Sequence, residues 1–144
     1  MRMSVRSRHL LECERGIAAL EFVFLAPALL MLVFGIIVYS IYFSTVLGVR
    51  QAATEGARAA LAGLSPTERS TLATDRAKEV LADYGRLTGV SSAATVTAVA
   101  DGNNAFNVTV SYDMSSSPIT RYTGFVPLPS GPITSTVSVT NGSY

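Results

Sequence analysis

The sequence contains one cysteine and one histidine, Cys13 and His9, and both lie among its first sixteen residues. A single cysteine excludes a disulfide framework within one chain. No cluster of cysteine and histidine provides the ligands of a zinc site, and no glycine-rich phosphate loop precedes a helix. The many serines and threonines have no base to activate them. We therefore expect no enzymatic activity, no metal and no cofactor.

Charge of either sign is scarce as well, at 15% of all residues, with a net charge of +1. The C-terminal part of the sequence shows no basic patch interleaved with aromatic residues. Such a patch is the usual electrostatic footprint of nucleic-acid binding. We expect no nucleic-acid partner.

Charge is missing altogether from the stretch between Phe22 and Val49, which contains no Asp, Glu, Lys, Arg or His. A bilayer core about 30 Å thick needs about 20 helical residues, so this stretch can span a membrane. A buried core helix seldom stays uncharged beyond about 14 residues. A cleaved secretory signal has an apolar part of only about 7–15 residues. We therefore predict a transmembrane helix and a lipid bilayer as partner.

The flanking charges indicate the orientation of this helix. Residues 1–16 contain four arginines, whereas residues 50–64 contain two, Arg50 and Arg58. Because basic residues are retained on the cytoplasmic side, we expect a cytoplasmic N-terminus and an extracytoplasmic C-terminal domain in a bacterial cytoplasmic membrane.

The chain divides into three predicted parts, which together give an α+β fold. A basic leader covers residues 1–16, and residues 17–64 form the transmembrane helix and its extracytoplasmic extension. This helix is expected to begin near Ile17 and end near Ala62, with a proline inside it that should kink it or free a carbonyl. Residues 65–144 form a small domain with a second helix and an antiparallel sheet of about three strands.

The second helix has clear boundary signals. Ser65, Pro66 and Glu68 fit a capping box with proline at the first helical position. Gly85 is the expected stop after Tyr84. The charged residues from Arg69 to Asp83 are expected to form a solvated face.

Alternation of apolar and polar residues predicts the strands that follow. One strand runs through Ala94–Ala100, and the residues of a turn follow at 101–104. Phe106–Tyr112 forms the next strand. After a proline-rich loop, Ile133–Val139 forms the last one.

A strip of small residues marks the extension of the first helix. Gly48, Ala52, Gly56 and Ala60 recur every four residues and therefore lie on one face. Strips of this kind allow another helix to approach closely. Two interpretations stay open: the strip packs against a partner helix, or it packs against the C-terminal domain of the same chain.

Glu21 is a carboxylate near the start of the apolar stretch, where an unpaired charge is costly. Arg15 lies six residues earlier, outside the i,i+3 and i,i+4 spacings that pair side chains on a helix. Cleavage between Gly16 and Ile17 would create an ammonium group at Ile17, about 6 Å from Glu21 along a helix axis. Glu21 could then pair with its own terminus or with that of a neighbouring subunit.

The residues around this position resemble a known processing site. Arg15–Phe22 is similar to the type IV prepilin site, in which glycine precedes four apolar residues and glutamate. The longer stretch RGIAALEFVFLAPALLMLVFGII, followed by VRQAATEGARAAL, resembles the TadE-like family of minor pilins (pseudopilins) of the Tad, or Flp, pilus system. Phe22 stands where the major Flp pilins favour tyrosine, which favours the minor-pilin interpretation.

The resemblance implies a structural role. A prepilin peptidase would cut after Gly16, and the mature protein would act as a priming or capping component in pilus assembly. Its partners would be a sister pseudopilin (TadF-like), the inner-membrane assembly platform and the major Flp pilin. Glu21 and Phe22 would align the neighbouring subunit.

Two alternatives remain. In the first, the chain is an unprocessed signal-anchored membrane protein whose outer domain binds an envelope partner. In the second, it is a full pilus subunit, although its outer domain is bulky beside the very small major Flp subunits.

Overall fold

The computed structural model describes residues 6–88, 94–101, 105–117, 120, 124, 126–129 and 131–140. Its element order is a long helix α1 (Arg6–Ala60), a second helix α2 (Pro66–Thr88) and three strands, β1 (Ala94–Asp101), β2 (Ala105–Tyr112) and β3 (Ile133–Thr140). A short 3-10 helix, Met114–Ser116, follows β2. The predicted α+β class, with two helices and an antiparallel sheet, is confirmed. Most of the predicted turn at 101–104 lies outside the described residues.

The first helix begins earlier than predicted, at Arg6 instead of near Ile17, and it ends at Ala60 instead of Ala62. Gly16 costs about 1 kcal/mol inside a helix, which is too little to end one, and a helix that has nucleated extends at low cost. The predicted leader therefore enters the same helix as the apolar stretch. α1 also continues through Pro27.

The second helix also extends further than predicted, because it passes through Gly85 to Thr88. Its start follows the predicted capping box in part. The Ser65 hydroxyl accepts a hydrogen bond from the Glu68 N–H at 3.2 Å. The Glu68 carboxylate accepts from the Leu64 N–H at 2.9 Å, one residue before the cap. The bond to Ser65 satisfies an amide group that the first turn leaves without a helical partner.

The described strands form one antiparallel sheet in the order β1-β2-β3. Val108 of β2 lies opposite Ala98 of β1 and Val137 of β3. Alternate residues of β2 are buried, while the outward positions of β1 and β3 are exposed. The sheet thus presents one apolar face to the helices and one face rich in threonine and serine to solvent.

The chain divides into two units, Met1–Ile37 and Val38–Tyr144. In the first unit, the described side chains belong to α1 and are mostly exposed. The second unit contains the core, which the C-terminal part of α1, α2 and the sheet build together. Its largest fully buried side chains are Tyr112, Phe106, Leu81, Val49, Val108, Val110 and Thr45.

Candidate functional site

The predicted processing and pairing residues lie in the N-terminal unit. Gly16 is part of α1, and Ile17 is 66% exposed. Glu21 is exposed one helical turn further along, next to Phe22, which is 69% exposed. No ion pair to Glu21 occurs among the described side chains.

Large apolar side chains cover this part of α1 on all sides. Leu20, Phe24, Leu30 and Met31 are each at least 60% exposed. α1 is also the one helix in the described part of the chain that is long and apolar enough to cross a membrane. A helix apolar all round and open to its surroundings is compatible with a single-pass membrane anchor.

The predicted packing strip lies in the C-terminal unit and is buried within the chain. Ala52 and Ala60 are fully buried. A Cβ atom added to Gly56 would lie 2.9 Å from the carbonyl oxygen of Ala73 on α2. A Cβ at Gly48 would lie 2.9 Å from the Tyr84 ring. Of the two interpretations left open, the structure shows packing against the domain of the same chain.

Close approach explains why these positions carry glycine and alanine. At Gly56 the nearest atoms also include the Ala77 Cβ at 3.2 Å and a Val108 methyl at 3.3 Å, so α2 and β2 both reach the same point. At Gly48 the neighbour is a side chain, Tyr84, whose hydroxyl donates to the Gln51 side chain at 2.6 Å. A ring can move more easily than a backbone carbonyl, so Gly56 is the more constrained position.

Arg69 has a role that the sequence did not reveal. We expected it on a solvated face, but its Nε donates to the Ala60 carbonyl at 2.9 Å. Its guanidinium carbon lies 4.9 Å from the centroid of the Phe106 ring. Arg69 thus donates to a carbonyl at the end of α1 that also accepts from the Gly63 N–H at 3.3 Å, and its guanidinium lies over a core aromatic ring. No local pattern predicts this, because Ala60 and Phe106 are distant in sequence.

The other charged side chains of α2 between Arg69 and Asp83 are exposed, as expected. Arg76 forms ion pairs with Glu79 at 2.6 Å and with Glu55 of α1 at 3.9 Å. The hydrogen bond from Arg76 to the Glu79 carboxylate raises the pKa of Arg76, and the nearby negative charge of Glu79 acts in the same direction. Exposed pairs of this kind contribute little to stability.

A proline-containing segment contacts α1 near the start of the C-terminal unit. The Tyr39 hydroxyl donates to the Pro127 carbonyl at 2.7 Å. Val126 is only 6% exposed, while Pro127 and Pro129 are exposed. The sequence predicts a proline-rich loop before the last strand but does not predict its contact with α1.

Chemistry for catalysis or metal binding is not evident among the described residues. No group of three or more histidine, cysteine or carboxylate side chains is placed to hold a metal there. A cavity of about 350 Å³ lies beside the 3-10 helix, between Asp113, Thr120 and Leu128. The Ser115 N–H donates to the Asp113 carboxylate at 2.9 Å and lowers the pKa of Asp113. That carboxylate therefore serves as the cap of the 3-10 helix.

Comparison with known families finds a match in the N-terminal part of the chain. Residues 16–58 match the family model of TadE-like protein. This segment is TadE-like. The match begins at Gly16 and extends through most of the buried strip, so the TadE-like segment includes both the exposed and the buried part of α1. No curated protein and no solved structure matched the chain.

The family match confirms the resemblance to the TadE-like family of the Tad pilus system. The domain that follows the TadE-like segment, with α2 and the sheet, lies outside the match.

Proposed function

We propose that this chain is a pseudopilin that a prepilin peptidase cleaves after Gly16 and that primes or caps a Tad pilus. The TadE-like match over residues 16–58 is the observation that carries the proposal. The mature chain would begin at Ile17, and its apolar helix would hold it in the cytoplasmic membrane with the C-terminal domain outside the cytoplasm. Its role would be structural and not enzymatic.

The exposure of Glu21 supports a pairing role for this carboxylate. In a helix that presents leucine and phenylalanine to its surroundings, a carboxylate in lipid needs a counter-ion. The ammonium group created at Ile17 of a neighbouring subunit would provide one, and Phe22 would pack beside it. The sister pseudopilin (TadF-like), the assembly platform in the inner membrane and the major Flp pilin are the partners that this arrangement would suit.

The deciding experiment is the intact mass of the membrane-extracted protein, with and without its prepilin peptidase. We expect a chain that begins at Ile17 only when the peptidase is present. Gly16→Val serves as control, because its bulky side chain should block cleavage while leaving the apolar helix unchanged. An uncleaved chain in both strains would instead favour a signal-anchored membrane protein that binds an envelope partner.

Glu21→Ala tests the pairing role separately from cleavage. We expect normal membrane insertion, because the change removes a charge from an apolar helix, together with impaired pilus assembly. Leu20→Ala is the matched control on the same exposed turn. Pilus number would be counted by electron microscopy, and normal pili with Glu21→Ala would contradict the pairing role.

Copy number separates the priming role from that of a full subunit. A primer or cap should be rare relative to the major pilin. Quantitative mass spectrometry of sheared pili would measure this ratio, and a high copy number along the fibre would contradict priming.

A further inference from the structure

The position along α1 at which burial begins suggests where the membrane surface lies. The described side chains from Ile17 to Ile37 are exposed or half-buried, and Val38, at 3% exposed, is the first buried one. The stretch from Ile17 to Ile37 is about 30 Å long at 1.5 Å per residue, which equals the thickness of a hydrocarbon core. If the bilayer begins at the predicted processing site, its far edge falls beside Val38.

Aromatic residues cluster at this same level. Tyr39 and Phe43 have ring centroids 6.4 Å apart, and Tyr42 and Phe43 have centroids 5.6 Å apart. Tyr39 is 37% exposed and Phe43 is 59% exposed. Tyrosine is enriched where a membrane protein crosses from hydrocarbon to headgroups, because its ring is apolar and its hydroxyl is polar. The aromatic cluster thus supports, independently of the helix length, a membrane surface near Val38.

The segment Val126–Pro129 is held at that level. The hydrogen bond of 2.7 Å from Tyr39 to the Pro127 carbonyl fixes its height along α1. The segment has the sequence Val-Pro-Leu-Pro, with no charge and no hydroxyl. Pro127 and Pro129 are exposed and Leu128 is half-buried, so apolar side chains face outwards beside the aromatic cluster.

We propose that Val126–Pro129 and the Tyr39 cluster form a membrane-contact surface that lies in the lipid headgroup region. This surface consists of Tyr39, Tyr42, Phe43 and Val126–Pro129. Its contact with the headgroups would limit how deeply α1 enters the bilayer. The occupant is a lipid surface, because Phe43 and Leu47 of α1 are more than half exposed and lie in the uncharged stretch of sequence from Phe22 to Val49. The inference rests on the membrane insertion in the proposed function.

Depth-dependent fluorescence quenching tests this surface. Single cysteines would replace Leu30, Pro129 and Leu64 in a full-length Cys13→Ser background, and each would carry a small environment-sensitive fluorophore. Leu30 lies in the middle of the apolar stretch, and Leu64, at 97% exposed, lies in the turn between α1 and α2. The protein would be reconstituted in vesicles of phosphatidylethanolamine and phosphatidylglycerol that contain lipids with a nitroxide on the headgroup or deep in the acyl chain.

We expect the acyl-chain nitroxide to quench the label at Leu30 more strongly than the headgroup nitroxide does. For the label at Pro129 we expect the reverse. The label at Leu64 should respond to neither. A label at Pro129 that behaves like the one at Leu64, while Leu30 is quenched, would overturn the membrane-contact surface but leave the membrane insertion standing. A label at Leu30 that neither nitroxide quenches would overturn both.

Tyr39→Phe tests the hydrogen bond that holds the segment. The variant keeps the ring but cannot donate to Pro127, so headgroup quenching of the label at Pro129 should decrease. Tyr42→Phe is the matched control, since the structure shows no hydrogen bond from its hydroxyl among the described residues. Equal quenching in both variants would show that the Tyr39 hydroxyl does not position the segment.

Discussion

Two parts of α1 differ in the size of their apolar side chains: the part from Ile17 to Ile37 carries large ones, and the part from Gly48 to Ala60 carries small ones. Between Ile17 and Ile37, the large residues leucine, isoleucine and phenylalanine are mostly more than half exposed. Between Gly48 and Ala60, the buried positions are almost all glycine and alanine, with Val49 as the largest side chain. The exposed positions of the first part and the buried positions of the second are both apolar, so hydrophobicity does not distinguish these two sets of side chains. The difference is that lipid adapts to any side-chain shape, whereas α2 and β2 can approach the helix only over small residues.

A charge in the exposed part of α1 should have the largest effect in this comparison. Leu30→Arg should make membrane insertion less favourable by about 3–4 kcal/mol, because arginine replaces leucine near the middle of the apolar helix. We expect the variant to be released by a carbonate wash of the membrane fraction, while its C-terminal domain still folds.

Leu64→Arg is the control for that substitution. Leu64 is 97% exposed in the turn after α1, so the same change there should leave membrane retention as it is. If both variants stayed in the membrane fraction, the interpretation of residues 17–37 as a lipid-facing helix would be wrong.

A larger residue in the buried part should have the next largest effect. Gly56→Val should destabilise the C-terminal domain by about 1–3 kcal/mol through overpacking, since the added carbons meet the backbone of α2. Thermal unfolding of the detergent-solubilised full chain, followed by circular dichroism, would measure the loss. Membrane retention should be unchanged.

Gly35→Val is the matched control in the exposed part of the same helix. A Cβ at Gly35 has no neighbour within 4 Å. This variant should unfold at or slightly above the temperature of the original chain, because glycine is a poorer helix former than valine. Equal losses at both glycines would contradict the distinction between the lipid-facing and the protein-facing part of α1.

The charged contact between α1 and α2 should have the smallest effect. Arg76→Gln removes the pairs with Glu55 and Glu79, which are exposed, so we expect a small decrease in Tm that disappears at about 1 M salt. Lys78→Gln is the control, because no described ion pair involves Lys78. A large decrease that disappears at high salt would show that charge, and not mainly the close approach at Gly56, holds the helices together.

Local sequence patterns predicted the presence of helices and strands better than they predicted the residues at which the helices begin and end. Alternation identified β1, β2 and β3, and the capping box identified the start of α2 at Pro66. The ends were wrong at Arg6 and at Thr88, because residues 1–16 were predicted to be a separate leader and Gly85 was predicted to be the stop of α2. A glycine ends a helix when its backbone leaves the helical conformation, and neither Gly16 nor Gly85 does so.

The sequence predicted which residues form the packing strip, but it did not predict what those residues contact. The spacing of Gly48, Ala52, Gly56 and Ala60 predicted a packing face, but not what covers it. The same four-residue repeat suits a partner helix and a helix of the same chain equally well. Only the positions of Ala73 and Tyr84 on the folded chain distinguish them.

Composition and periodicity are therefore sufficient for the apolar helix and the order of helices and strands, whereas the motif around Gly16 and Glu21 was recognised by its resemblance to the TadE-like family. These features depend on residues that are neighbours in sequence, where hydrophobic patterning and helix propensity act directly. The capping of Ala60 by Arg69 and the contact of Tyr39 with Pro127 join residues 9 and 88 positions apart. Their existence follows from how α1, α2 and the loop before β3 pack, which no local pattern contains.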